Sequence, residues 1–265
     1  MADSVLDKTG RFLARYLGTR SSGYDPYTPS DPETLRGMLQ PGDVLLIEGN
    51  QRISAAIKYL TQSTWSHAAL YVGDPLRLHG DDDKVFVECN VADGCIAVPL
   101  SSYRNYNTRI CRPIGLTEAD RKAVTGFMIS SIGRRYDVKN IVDLARYLLP
   151  TPPVPVRWRR RMLAFGSGDP TRAICSSLIA EAFGRVGYPI LPLIERDEDN
   201  GMSHPVSTYS REEILHIRHY SLYTPRDFDL SPFFRVVKPT IERGFDYKRL
   251  RWSAGEDGEL PASPA

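Results

Sequence analysis

Between Thr64 and Gly73 the chain reads TWSHAALYVG, an apolar run with the length and composition of a buried strand. Its interior holds a histidine, His67. An imidazole titrates near neutral pH and is costly to bury without a polar neighbour. Any fold that keeps this strand must therefore bring His67 a partner from elsewhere in the chain.

Two later segments carry side chains suited to that partnership. VFVECNVADGCIAV reads as a strand, a turn around Asp93 and Gly94, and a returning strand, with Glu88 near the centre of the first. ICSSLIAEAFGRVG places Cys175 at the start of a helical pattern formed by Ile174, Leu178, Ile179, Ala182, Phe183 and Val186. A thiol at a helix N-terminus sits in the positive end of the helix dipole, which favours the thiolate. His67, Glu88 and Cys175 thus offer a base, an orienting acid and a nucleophile. Strand alternation puts His67, Ala69 and Tyr71 on one face and Phe86 with Glu88 on one face of the next strand. If the strands are neighbours, Glu88 lies across from His67, and the Cys175 helix is expected on that same face.

Each residue also has a plainer reading. Cys175 is in register with Ile179, Ala182 and Val186, as an inert core thiol would be. His67 alone fits a core histidine donating to a carbonyl, and Glu88 alone fits a solvent-facing charge. Spacing by itself does not choose between these and a triad.

The 265 residues are 42% hydrophobic and 25% charged, enough for one full core with extensions. The net charge of +2, from 34 basic and 32 acidic residues, gives no basis for nucleic-acid binding. Cys89, Cys95, Cys111 and Cys175 form no CxxC pair, and no secretory apolar stretch opens the chain, so a reducing, cytoplasmic setting is expected. Cys89 and Cys95 flank the hairpin turn and face each other in one register, which leaves a disulfide open. No run of about 18 apolar residues suggests a membrane span.

Residues 4 to 18 carry an amphipathic helical pattern, and Ser21 to Pro32 reads as a linker. Pro41, Gly42 and Asp43 form a turn launching a strand over Val44 to Ile47, followed by a helix over Ile53 to Leu60. Thr108 to Arg112 is a further strand. Thr117 caps a helix running to Ile132, with Asp120 at its third position. A helix over Val138 to Leu149 is expected to stop at PTPPVP, and residues 255 to 265 to be disordered.

The order GDVLLIEG, STWSHAALYVG, FVECN and AICSSLIAEAF resembles the circularly permuted branch of the NlpC-type papain-like cysteine hydrolases, particularly the YiiX/YebB-like group. TPRDFDLSPFFRVV resembles that group's closing segment, and the histidine-before-cysteine order is similar to the lecithin:retinol acyltransferase branch. The resemblance covers about residues 41 to 240, leaving 1 to 40 as an N-terminal helix and linker and 241 to 265 as a tail. It implies an α+β fold, with a small antiparallel sheet or barrel packed against helices and the cysteine at a helix N-terminus. It also implies Cys175 as nucleophile, His67 as general base and Glu88 as third polar residue, with Asn90 an alternative holder of the imidazole. The oxyanion is expected near the backbone N–H of Cys175, and Tyr71 is a weak side-chain donor candidate.

Such a site would cleave an amide, ester or thioester through an acyl-thioester, with no cofactor or metal. The substrate class is open between cell-wall-type peptides and lipid acyl groups. VRWRRRMLAF sets Arg157, Trp158, Arg159, Arg160 and Arg161 beside apolar residues just before the Cys175 helix, a pattern suited to an anionic membrane surface. Ordinary solvated arginines over a core helix would read the same way. With no export signal favouring a wall peptide, a lipid or other acyl conjugate is the leading expectation, at a cytoplasmic or membrane-peripheral location. A zinc site of His67, Cys89 and Cys175 and a binding module without catalysis are competing readings. A calcium loop at Asp197 to Gly201 fails on the position of its glycine and the missing terminal glutamate.

Overall fold

The structure is a computed structural model, and it describes residues 19, 26, 32–73, 84–90, 93–134, 174–195, 214–216, 220–246 and 248. The expected N-terminal and 138–149 helices, the arginine-rich segment 156–165, the 197–201 loop and the tail lie outside these residues.

Helix α1 (Pro32–Met38) leads into the turn at Pro41 and Gly42, where φ of +93° suits a residue without a Cβ. Strand β1 (Val44–Ile47) follows, then α2 (Arg52–Thr61), β2 (His67–Tyr71), β3 (Lys84–Asn90) and β4 (Gly94–Pro99). A 3-10 turn (Leu100–Tyr103) passes to β5 (Thr108–Pro113) and α3 (Glu118–Ser130). Thr117 caps α3 as the sequence predicts, its Oγ1 accepting from the Asp120 N–H at 3.2 Å. Beyond lie α4 (Ile174–Arg185), the short pair β6 (Leu193–Glu195) and β7 (Ile214–His216), a 3-10 turn (Tyr220–Leu222), α5 (Pro225–Leu230), β8 (Phe234–Val237) and α6 (Pro239–Glu242).

Six strands form one antiparallel sheet in the order β4-β3-β2-β1-β5-β8. Its α+β organisation is the one the resemblance implies. Because β1 and β2 are central, their residues are apolar on both faces, and Val44 to Leu46 and Ala68 to Leu70 are all fully buried. One face packs Val44, Leu46, Ala68, Leu70, Val87 and Cys89 against Ile179, Ala182 and Phe183 of α4. The other packs Leu45, Ile47, Ala69 and Phe86 against Leu35, Leu39, Leu100 and Tyr103. Residues of α1 thus contribute to the second core.

That division corrects one expectation. The Cys175 helix covers the Ala68 and Leu70 face, not the face of His67 and Glu88. Its apolar stripe of Ile179, Ala182 and Phe183 needs a wholly apolar sheet surface, whereas the other face carries the polar pair near the sheet's end.

A buried ion pair ties the start of β1 to β5. Arg112 forks onto Asp43, with Nε donating to Oδ1 at 2.9 Å and Nη2 to Oδ2 at 2.7 Å, and Nη2 also donates to the Met38 carbonyl. Burial raises the Asp43 pKa above its ordinary value, opposed by the bonds from Arg112 and the Gln40 N–H. Cys89 and Cys95 do face each other across the β3–β4 hairpin, both buried and not joined by a disulfide.

Candidate active site

β2 starts at His67, whose partner across the β1 ladder is Ile47. The approach to that position is closely held. The Ser66 N–H donates to the Ile47 carbonyl, and Ser66 Oγ accepts from the Gly49 N–H at 3.0 Å. A Cβ at Gly49 would come within 2.3 Å of Ser54 Oγ, so only glycine fits this loop without displacement. Trp65 Nε1 donates to Asp229 at 3.1 Å, and the Arg109 guanidinium lies over the Trp65 ring while bonding Asp229 at 2.6 Å.

Glu88 reaches His67 from β3. His67 Nε2 donates to Glu88 Oε2 at 2.7 Å, with the two side chains only 23% and 12% exposed. The remaining ring nitrogen, Nδ1, is the one left to meet Cys175, which shares a side-chain hydrogen bond with His67. Asn90 bonds Glu88 and Asp93 rather than the imidazole, so it is Glu88 that holds the ring.

Cys175 lies in the first turn of α4 and is 5% exposed. Its neighbour Ser176 anchors that turn by donating to the Tyr223 carbonyl at 2.8 Å. α4 covers the sheet face of Ala68 and Leu70, and Cys175 in its first turn interacts with His67, the first residue of β2.

The sheet itself supplies a further donor. Along β2 the odd-numbered N–H groups turn toward β1, as Tyr71 to the Asp43 carbonyl shows, and the even-numbered ones toward β3, as Val72 to the Val85 carbonyl shows. The β2–β3 ladder runs through Tyr71↔Phe86 and Leu70↔Val87. Ala68, two residues before that ladder, donates its N–H to the Cys175 sulfur instead.

These contacts set the charges. For Cys175, burial raises the thiol pKa, but the imidazolium charge, its hydrogen bond and the Ala68 N–H outweigh burial and hold it below its ordinary value. For His67, burial opposes protonation, while the Glu88 charge and then Cys175 raise it well above 6.5. For Glu88, burial is outweighed by the His67 charge and by bonds from His67, Tyr103 and Asn90, which bring it down to about 2. All three shifts favour a thiolate–imidazolium pair beside a carboxylate.

Tyr103, at the end of the 3-10 turn after β4, did not stand out in the sequence. Its hydroxyl donates to the same Glu88 Oε2 at 2.5 Å. Tyr71, by contrast, packs edge-on to Phe86 in the second core, with ring centroids 5.3 Å apart, four residues along β2 from His67. Cys89 projects into the first core opposite Cys95, away from Glu88's face. Among the described residues no group of three or more His, Cys, Asp or Glu side chains is arranged to hold a metal ion.

Residues 38–147 match the family described as permuted papain-like amidase enzymes, YaeF/YiiX, C92 family. The matched stretch contains His67 and Glu88 and ends before Cys175. Among solved structures, the chain is similar to the metalloprotein yiiX from Escherichia coli O157:H7, at 14% identity and a TM-score of 0.42, over 75% of this chain and 96% of that one. No curated protein sequence matches. Over residues 38–147, less than half of its length, the chain is therefore similar to the permuted papain-like amidases of the YaeF/YiiX type.

Proposed function

We propose that the protein is a cysteine amidase acting through an acyl-thioester on Cys175, with His67 as general acid–base and Glu88 orienting it. The observation that carries this reading is the continuous relay from Cys175 through His67 to Glu88, at the N-terminus of a helix. The thiolate attacks the acyl carbonyl, and His67 hands its proton to the departing amine as the C–N bond breaks. Water, deprotonated by the same imidazole, then attacks the thioester and releases the acid and the thiolate. The oxyanion is stabilised at the helix start by the Cys175 N–H, one of the first-turn donors that a helix leaves without an intrahelical acceptor.

The family's description as amidases favours an amide over an ester. Hydrolysis and transfer to another acceptor share every step up to the thioester. A lipid substrate rests on the sequence of residues 156–165 alone. The test is trapping. Intact-protein mass spectrometry after incubation with an acyl p-nitrophenyl ester should show one acyl adduct in wild type and none in Cys175→Ala. An adduct that persists in that variant refutes the assignment.

A further inference from the structure

Glu88 Oε2 accepts two hydrogen bonds, one from His67 Nε2 at 2.7 Å and one from the Tyr103 hydroxyl at 2.5 Å. We propose that Tyr103 is a positioning residue that sets the basicity of His67 by drawing off part of the Glu88 charge. The inference deepens the amidase reading and rests on it for its turnover arm only.

The placement is built. Tyr103 is 5% exposed, and its ring stands edge-on to Phe86 at 5.4 Å, two residues from Glu88 on the same strand face. The phenol therefore cannot swing away to water. Its own ionisation is strongly disfavoured, by burial first and by the adjacent Glu88 charge second, so it remains a donor throughout the working pH range.

The effect on His67 follows from sharing one acceptor. A carboxylate oxygen that receives a proton donor carries less charge for its second partner. Without the phenol, Glu88 would pull harder on the Nε2 proton and make Nδ1 more basic. Nδ1 is the atom that must hold a proton while the thiolate forms and release it when the amine leaves. A more basic Nδ1 favours the thiolate but retards that release. Glu88 starts from about 2, so it stays ionised at neutral pH after losing one donor.

Other groups bear on this cluster. From β3 and β4, Asn90 also bonds Glu88, and Cys95, which bonds Cys89 and feels Arg134, lies within electrostatic range of Glu88. From α4, Cys175 faces both His67 and Tyr103, and Tyr106 lies beyond the 3-10 turn. These groups are present in both wild type and a Tyr103 variant, so the comparison isolates the phenol's hydrogen bond.

The experiment compares wild type, Tyr103→Phe and a protein carrying 3,5-difluorotyrosine at position 103, a more acidic and stronger donor. The rate of Cys175 alkylation by iodoacetamide is followed against pH by peptide mass spectrometry, and the His67 ring nitrogens are titrated by NMR. Neither readout needs a substrate. Tyr103→Phe should move the acid limb of alkylation to lower pH and raise the His67 midpoint, and difluorotyrosine should move both the opposite way. In turnover, Tyr103→Phe should slow an acyl p-nitroanilide about 10- to 100-fold. The matching p-nitrophenyl ester, whose leaving group needs no proton, should be little changed.

A structural loosening would lower thiol reactivity and both turnovers together, and that pattern overturns the proposal. So do coincident limbs in all three proteins. If Tyr103→Phe does not fold, the difluorotyrosine protein, which keeps the ring and hydroxyl, still decides it by the sign of its limb shift. A wild type whose thiol alkylates normally but turns over neither probe counts against the amidase reading and leaves the limb comparison standing.

Discussion

His67 on β2 and Glu88 on β3, twenty-one positions apart in the chain, meet at 2.7 Å. The imidazole is thereby held by a carboxylate on one side and left free to serve Cys175 on the other. Two of the predictions below draw on this pairing.

Cys175→Ala should lower kcat/KM by at least about 10³-fold, because no other described residue replaces the nucleophile. The thiol fills little space, so thermal unfolding should shift by only a few degrees, on the order of a 1 kcal/mol change. Hydrolysis of an acyl p-nitroanilide and a melting curve on the same sample check both halves.

Glu88→Gln keeps the shape of the side chain and removes its charge. The His67 midpoint should fall, since the Glu88 charge is the largest influence raising it. The thiolate fraction at neutral pH should fall with it, and turnover should drop about 10²- to 10⁴-fold. NMR titration of His67 alongside the rate profile separates the charge effect from a loss of fold.

The same pair makes stability depend on pH. Glu88 has a folded pKa near 2 against an ordinary 4.5, so its ionised form stabilises the fold fully above 4.5, and that contribution is lost as pH falls through about 2. His67 is raised, so its contribution is full below 6.5 and is lost as pH climbs through its folded value. The Glu88 part is roughly 3 kcal/mol at most. Urea midpoints of wild type and Glu88→Gln should therefore converge between about pH 5 and about pH 2.5. A constant gap would mean that Glu88 is not selectively stabilised as a carboxylate.

Arg112→Leu should destabilise the protein by about 3–5 kcal/mol, because it leaves the fully buried Asp43 carboxylate without its guanidinium. Adding Asp43→Asn should recover a substantial part, since the amide carries no charge to desolvate. Chemical denaturation of the two single variants and the double variant measures the coupling.

Replacing Arg159, Arg160 and Arg161 by Gln tests the membrane reading drawn from the sequence. If that segment holds the protein to anionic lipid, the three substitutions should weaken co-sedimentation with phosphatidylserine vesicles by about 100-fold. Equal pelleting with neutral and anionic vesicles would rule the reading out.

Much of the fold was legible in local pattern. The alternation and turn chemistry around Pro41, Asp93 and Gly94 marked β1 and the β3–β4 hairpin, and the Thr117 cap with Asp120 marked the start of α3, because these signals act within a few residues. The pairing of Glu88 with His67 was foreseeable from alternation once the strands were taken as neighbours. The face on which α4 packs was not, since periodicity states that a helix has an apolar stripe but not which sheet surface receives it. Asp43 and Arg112, sixty-nine residues apart, gave no sequence sign of their ion pair.

By itself, the sequence determined the candidate chemistry, since a histidine in an apolar strand and a cysteine opening an amphipathic helix are local facts, and their order marks the permuted arrangement. Only the tertiary structure decided how those groups are tuned. It brought Tyr103 onto the same carboxylate oxygen as His67 and turned the Ala68 N–H toward the Cys175 sulfur beyond the β2–β3 ladder. Hydrogen bonds of that kind depend on where a ladder stops and which buried atoms converge, which side-chain spacing does not encode.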